Sequence, residues 1–347
     1  MARVYLDWNA TTPLRDEARG AMMSAMDVLG NPSSVHSEGR AAKGLIEQAR
    51  KDLEVCLGAE GADIIFTSSA TEAAALALTG QDARCSGVEH DAVRSWCVED
   101  LPVDSNGLIS TDAPGISAIQ LANSETGVIQ KLPEGLLLTD ATQAFGKIPF
   151  AFNWCGAQMA MVSAHKLGGP KGIGALVVKR GTDLAAQIKG GGQEMGRRSG
   201  TENVIGIAGF AAAAKAAQRE IEGGSCERIA KLRKILEKTI AESEKSTIFV
   251  GNDANRLPNT SCFIAPGWKG ATQVMVMDLA GFAISAGSAC SSGKVKSSAA
   301  LRAMGFSETE AACAIRVSIG ASTCEEEILA FADAWGREYA KFRARNG

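Results

Sequence analysis

The stretch Met161-Val-Ser-Ala-His-Lys-Leu-Gly-Gly-Pro-Lys-Gly-Ile-Gly-Ala-Leu-Val-Val178 limits the possible folds more than any other part of this chain. An apolar run delivers Ser163, His165 and Lys166 to a glycine-rich turn, and a second apolar run, 175–178, leaves it. A lysine at the end of a buried strand carries an ammonium that burial penalises, which predicts an amine lowered toward nucleophilicity. Ser163 and His165, two residues apart, can reach the same anion that backbone N–H groups of the turn face. Taken alone, the stretch fits a β-hairpin with a surface lysine equally well.

A second stretch, Leu136-Leu-Leu-Thr-Asp-Ala-Thr-Gln-Ala144, decides between the two. Here an aliphatic strand ends in Asp140, and Gln143 follows. A strand-end acid beside a strand-end lysine is what pyridoxal phosphate chemistry needs. The lysine holds the aldehyde as a Schiff base, and the carboxylate keeps the pyridine nitrogen protonated so that the ring accepts electrons.

Strands ending at Phe66, Ala122, Asp140 and Ser163 alternate with helical or loop segments, the pattern of a mostly parallel α/β sheet with ligands at the strand carboxyl ends. Thr67-Ser-Ser-Ala-Thr-Glu72 opens an alanine-rich helix to about Leu78. Its hydroxyls cap free N–H groups, and the same end attracts phosphate; no Walker glycine pattern is present. Gly190-Gly-Gly-Gln-Glu-Met-Gly-Arg-Arg-Ser-Gly-Thr201 reads as a mobile linker or an anion-facing loop. A helical stretch over 204–245, broken at Gly223-Gly224, connects to short strands expected at 248–250, 260–264, 282–285 and 314–318. Helices are expected at 271–280, 297–304 and 324–343. This divides the chain into a large domain, 15–245, and a small α+β domain built from 1–14 and 246–347.

Cys290 differs from the other eight cysteines. It lies in Gly287-Ser-Ala-Cys-Ser-Ser-Gly-Lys-Val-Lys296, among small and hydroxylated residues with two lysines behind it. Such a loop is expected to be solvated and mobile, and nearby cations favour the thiolate. Arg316, within Ala314-Ile-Arg-Val-Ser-Ile-Gly320, places a guanidinium on a buried strand, where it needs an anion. A substrate carboxylate or a structural ion pair would serve. With nine cysteines but no Cys-x-x-Cys, and three histidines, no metal site is expected. A net charge of −3 without a basic block argues against a nucleic-acid surface. The absence of a long apolar run or a secretory pattern argues against a membrane span and for the cytoplasm.

Together these residues resemble the cysteine desulfurases of the NifS/IscS type, class V aminotransferase relatives with the pyridoxal phosphate fold type I. The resemblance rests on Ser-Ala-His-Lys, Asp-Ala-Thr-Gln, Arg-Ser-Gly-Thr and Gly-Ser-Ala-Cys-Ser-Ser. It runs from Tyr5-Leu-Asp-Trp-Asn-Ala-Thr-Thr-Pro13 to Arg316-Val-Ser-Ile-Gly320. It implies a large domain with a mostly parallel seven-stranded sheet. Lys166 would hold the cofactor aldehyde and move the substrate's α-proton, with His90 on the pyridine ring. Asp140 would pair with the ring nitrogen, and Gln143 with the phenolic oxygen. Ala70, Thr71, Ser163 and His165 would hold the phosphate, with Thr201 added from the other subunit of a homodimer. Asn9, Asn31, Asn123 and Arg316 would bind the substrate.

Cys290 would take the sulfur of L-cysteine as a persulfide, leaving L-alanine. A scaffold or a SufE- or IscU-like acceptor in iron–sulfur cluster assembly, or another sulfur acceptor, would then receive it. The sequence departs from the family at Ser69, where glycine is usual, and at Glu72-Ala-Ala-Ala, where asparagines are usual. After Gly320 it has 27 residues, fewer than the tail with which relatives dock a scaffold. Two other readings use the same residues: a selenocysteine lyase or other β-lyase, and a non-catalytic sulfur-carrier or scaffold subunit.

Overall fold

The computed structural model describes residues 3–287 and 297–346. In chain order it contains β1 (Val4–Tyr5), α1 (Asp16–Met26), α2 (Ser37–Cys56), β2 (Asp63–Thr67), α3 (Ala70–Leu78), β3 (Arg84–Ser86), α4 (Asp91–Arg94) and β4 (Val98–Leu101). There follow β5 (Ala118–Gln120), β6 (Leu136–Asp140), β7 (Ala157–Ser163), β8 (Gly174–Val178), α5 (Val204–Glu222) and α6 (Ser225–Ser243). The last part has β9 (Ile248–Phe249), β10 (Thr260–Ile264), α7 (Gly270–Leu279), β11 (Phe282–Ala283) and β12 (Ser285–Ala286). It ends with α8 (Ala299–Ala303), α9 (Glu308–Ala312), β13 (Ala314–Ser318) and α10 (Glu325–Asn346).

The central sheet has the order β2-β8-β7-β6-β5. β5, β6 and β7 pair in parallel, whereas β8 runs antiparallel to both its neighbours. The parallel pair β3–β4 joins beside β5 through a bridge from Arg84 to Ser117, extending the layer to seven strands. Both faces are covered, which is why β6, β7 and β8 read as near-continuous apolar runs. Alternate residues divide between two cores. Ala160 and Val162 pack with Ile46, Leu53 and Phe210 of α2 and α5, while Met159 and Met161 pack with Ala73, Ala74 and Ala77 of α3.

A second sheet, β12-β13-β10-β9, is antiparallel throughout. It is covered by Leu232, Leu236 and Ile240 of α6 and by Trp335 and Tyr339 of α10. Trp335 meets Phe263 edge to face at 5.3 Å. The N-terminal segment belongs to this region, because β1 pairs with β11 and Asp7 bridges to Ser318. The strand expected at 282–285 is two strands: β11 pairs with β1 and β12 with β13, the change of partner falling at Ile284. Helix α1 has no counterpart in the sequence reading, since it buries only Ala18 and Ala25 and so lacks an apolar stripe. Among the described residues no helix is long and apolar enough to cross a membrane.

Phe210 is fully buried where α5 covers the central sheet. Phe210→Ala is expected to destabilise the protein by about 3–5 kcal/mol, read as a lower urea midpoint with an unchanged m-value.

Candidate active site

The register of the central sheet sets the site. Thr67 pairs with Gly174, Gly174 with Ser163, Asp140 with Met161 and Gln120 with Asp140. The carboxyl ends of β2, β5, β6 and β7 therefore share one edge, where a cavity of about 400 Å³ opens. Asn9, Ala70, Thr71, His90, Asp140, Gln143, Ser163, His165, Lys166 and Arg316 line it. Widely spaced sequence elements thus meet in one place, as ligand sites at strand ends do.

Lys166 closes the turn after β7, and its Nζ donates to the carbonyl oxygens of Asn9 (2.7 Å) and Ala10 (3.0 Å). Asp140 ends β6, and its Oδ1 accepts from the Thr142 amide at 2.8 Å. Burial pushes the Asp140 carboxyl up, against the pull of the Thr142 hydrogen bonds, His90 and Lys166. A carboxylate in that condition gains most from a cationic partner, which a protonated pyridine nitrogen supplies. His90 caps α4, its Nδ1 accepting from the Ala92 amide at 3.1 Å, so the proton of the neutral ring sits on Nε2.

The end of the cavity at α3 has equally specific packing. Ser69, in extended conformation, caps α3, and Ala70 and Thr71 present the first turn of that helix to the cavity. A Cβ on Gly174 would meet the Val162 carbonyl at 2.7 Å and the Ser69 backbone at 2.8 Å, so only glycine lets β8 lie this close to the turn. His165 Nδ1 lies 3.2 Å from Thr11 Oγ1. Burial, reinforced by Lys166, Lys171 and Lys147, lowers the His165 imidazole to about 4. Arg316, on β13, donates to Asp7 Oδ1 (2.7 Å) and to the Ser124 carbonyl (3.1 Å), while its buried Nε has no hydrogen-bond partner among the described residues. Thr142 Oγ1 is likewise orphaned beside the cavity. Orphaned donors, an amine, a carboxyl and a helix N-terminus around one cavity fit pyridoxal phosphate with a carboxylate-bearing substrate.

The aminotransferase class-V family model matches residues 4–95 and 98–331. The chain belongs to the aminotransferase class-V family. A cysteine desulfurase of Cereibacter sphaeroides is 38% identical over 365 residues, covering 94% of this chain and 93% of that one. Cysteine desulfurase NifS of Azotobacter vinelandii is 37% identical over 94% of this chain and 90% of its own length. The crystal structure of a NifS-like protein from Rickettsia africae has a TM-score of 0.89 at 31% identity, over 97% and 99% of the two chains. A structure of SspA in complex with cysteine gives 0.75 at 27%, over 91% and 98%. Class-V aminotransferases depend on pyridoxal phosphate, and this member is an enzyme of that kind.

Other expected site residues of this class-V aminotransferase stand elsewhere. Asn123 is buried behind the wall. Its Oδ1 accepts from the Glu125 and Thr126 amides and its Nδ2 donates to the Val88 carbonyl, an arrangement that places Ser124 at the cavity. Asn31 is exposed and accepts from the Ser33 amide in its own turn. Thr201 is exposed and does not line the cavity of its own chain. Cys290 lies outside the described residues. The arginines of the glycine-rich loop are committed to ion pairs, Arg197 with Asp63 and Arg198 with Glu72, each at 2.8 Å.

Three groups at the site went unread in the sequence. Glu89 is buried with one oxygen on the Gln120 amide and the other unpartnered among the described residues, and burial raises it well above the ordinary range. Glu125 accepts from Ser298 Oγ at 2.5 Å and is pushed by burial up to about 7. Lys147, one turn past Gln143, contacts both Gln143 and Asn9. An acid inside the apolar Val88-Glu-His90 was the one available signal; a lysine between Gly146 and Ile148 reads as an ordinary surface cation.

His165 binds its proton less readily in the folded chain (about 4) than its ordinary value of 6.5 allows. Between these values the unfolded state holds more protons, so stability falls as pH drops through the window. In cofactor-free protein, the stability advantage of wild type over His165→Gln is expected to shrink as pH falls from 6.5 to about 4, measured by urea unfolding at each pH.

Proposed function

We propose that this chain is a cysteine desulfurase, a sulfurtransferase that converts L-cysteine to L-alanine and passes the sulfur to Cys290 as a persulfide. Iron–sulfur cluster assembly, or another sulfur delivery route, is the process served. The observation that carries the proposal is the meeting of Lys166, Asp140 and an incompletely partnered Arg316 in one cavity. The relatives named cysteine desulfurase and the structural neighbour complexed with cysteine favour this amino acid over selenocysteine.

Bound pyridoxal phosphate supplies the electron sink for charge developing on the amino acid's α-carbon. Lys166 Nζ holds the aldehyde and moves the α-proton, while Asp140, steadied by the Thr142 amide, keeps the ring nitrogen protonated. His90 would lie against the ring and Gln143 would address its phenolic oxygen. Ala70, Thr71, Ser163 and His165 take the phosphate, and Arg316 takes the substrate carboxylate, with Asn9 beside it on the cavity wall. The Cys290 thiolate then attacks the substrate sulfur. A sulfur–sulfur bond forms as the carbon–sulfur bond breaks, the electron pair is left on the β-carbon, and a proton added there and one returned to the α-carbon complete alanine.

The same proposal includes a homodimer in which Thr201 completes the opposite phosphate site, a cytoplasmic location and a scaffold-like or SufE/IscU-like acceptor. The free thiols among the described residues suit a reducing compartment. Its domains are 15–245 and 1–14 with 246–347, helix α6 packing against the second.

Purified protein is expected to be yellow, and Lys166→Ala to lose at least about 10³-fold in turnover. Cys290→Ser should keep the visible band and its response to cysteine yet release no sulfide with a reductant present. Full sulfide release from that variant would overturn the proposal. In mixed dimers of Thr201→Ala and Lys166→Ala chains, one intact site is expected to form and activity to return. Heterodimers verified by mass that stay inactive would exclude the shared site.

A further inference from the structure

Lys147 lies in the segment that follows β6, four residues beyond Gln143. Its side chain is half-buried, and its Nζ donates to two neutral acceptors, Asn9 Oδ1 at 2.9 Å and Gln143 Oε1. Among the described residues no carboxylate lies within ion-pair distance of it. The cations Lys166 and Arg316 face it.

Asn9 ties this amine to the reacting one. Its backbone oxygen accepts from Lys166 Nζ at 2.7 Å and from Gln143 Nε2 at 3.1 Å. Its Oδ1 accepts from Lys147 and from Asn259 Nδ2, and its own Nδ2 donates to Ser124 O and Thr260 Oγ1. Lys147, Gln143 and Lys166 therefore share one residue as a common hub.

The arrangement allows only one orientation of the Gln143 amide. Reversing it would set the NH₂ against the Lys147 amine and the carbonyl against the Asn9 carbonyl, a donor facing a donor and an acceptor facing an acceptor. We propose that Lys147 is a positioning residue that fixes the Gln143 amide and the Asn9 side chain beneath Lys166, so that the cofactor meets a donor, never an acceptor, at Gln143. This rests on the pyridoxal phosphate site described above and goes beyond the desulfurase reading.

Lysine suits the task because its amine still has two N–H groups after losing a proton, one for each acceptor. Burial, then Lys166 and Arg316, hold that amine well below its ordinary range, so it can do this without adding a third full cation. An arginine there would stay charged.

The test is a double-mutant cycle on the full chain with Lys147→Met and Gln143→Ala. Cofactor-free protein is titrated with pyridoxal phosphate for Kd, and the bound visible band is followed with pH for its midpoint. Lys147→Met is expected to weaken binding by about 10-fold, the scale of a lost buried hydrogen bond, and to shift the midpoint. In the Gln143→Ala background it should add less than about 2-fold, because the Gln143 amide, through which its effect reaches the cofactor, is gone. The same loss in both backgrounds, or unchanged Kd and midpoint in a folded Lys147→Met protein, would overturn the inference while leaving the desulfurase reading intact. Should Lys147→Met not fold, Lys147→Gln is put through the same cycle. Wild-type protein that takes up no pyridoxal phosphate would sink both.

Discussion

Two backbone carbonyls, those of Asn9 and Ala10, hold the amine of Lys166, and the geometry of the cavity depends on how firmly they are placed. The segment that carries them is anchored on both sides. Toward the second sheet, Asn9 N donates to Ser318 Oγ and Trp8 N to the Ser318 carbonyl. Toward the central sheet, Thr12 N donates to His165 O and Thr12 Oγ1 to Lys166 O. Tyr5 Oη closes the segment on itself by donating to the Thr11 carbonyl. The lysine thus sits where the two sheets are stitched together, so the relative placement of the sheets is also the placement of its amine.

Charge around this point is unbalanced in a way that predicts its ligand. Lys166 and Arg316 converge on the site beside a Lys147 amine held below its ordinary range, yet Asp7 answers only Arg316, and Asp140 is itself raised by burial. Glu89 and Glu125 could have supplied negative charge, but burial drives both toward the neutral acid. A cavity with surplus cations and reluctant carboxylates is stabilised by anions from outside. A phosphate and a substrate carboxylate meet that requirement, and the neutral His165 beside them is an imidazole from which burial, reinforced by nearby cations, has already driven the proton.

How much of this could be read from the residues follows from what each one signals. Lys166, Asp140, Ser163 and His165 sit where an apolar run stops, and the periodicity of the run gives the strand, so their convergence was legible. Asn9 and Lys147 carry no such mark; their roles arise from a crossing segment and a turn whose paths depend on tertiary packing. The family resemblance makes Asn123 a substrate ligand; in the structure its short amide turns back on the following N–H groups, as Asn commonly does. The break at Ile284 was hidden for a related reason: β11 and β12 form one apolar run, and only the arrival of β1 as a new partner divides it.

The departures from the family pattern at the phosphate end have a common physical basis. Ser69 has φ −173°, an extended conformation that needs no glycine, and its hydroxyl accepts from the Glu72 amide. Glu72 returns the bond through the Ser68 amide at 2.7 Å and grips Arg198 with the same carboxylate. That ion pair is partly buried and joined to two hydrogen bonds, so it holds geometry better than an exposed pair would. Its consequence reaches beyond one site. The loop that contains Arg198 continues to Thr201, the residue assigned to the opposite subunit in the proposed dimer. In the proposed dimer Glu72 would therefore link the helix that faces the phosphate in its own chain to the hydroxyl offered to the partner.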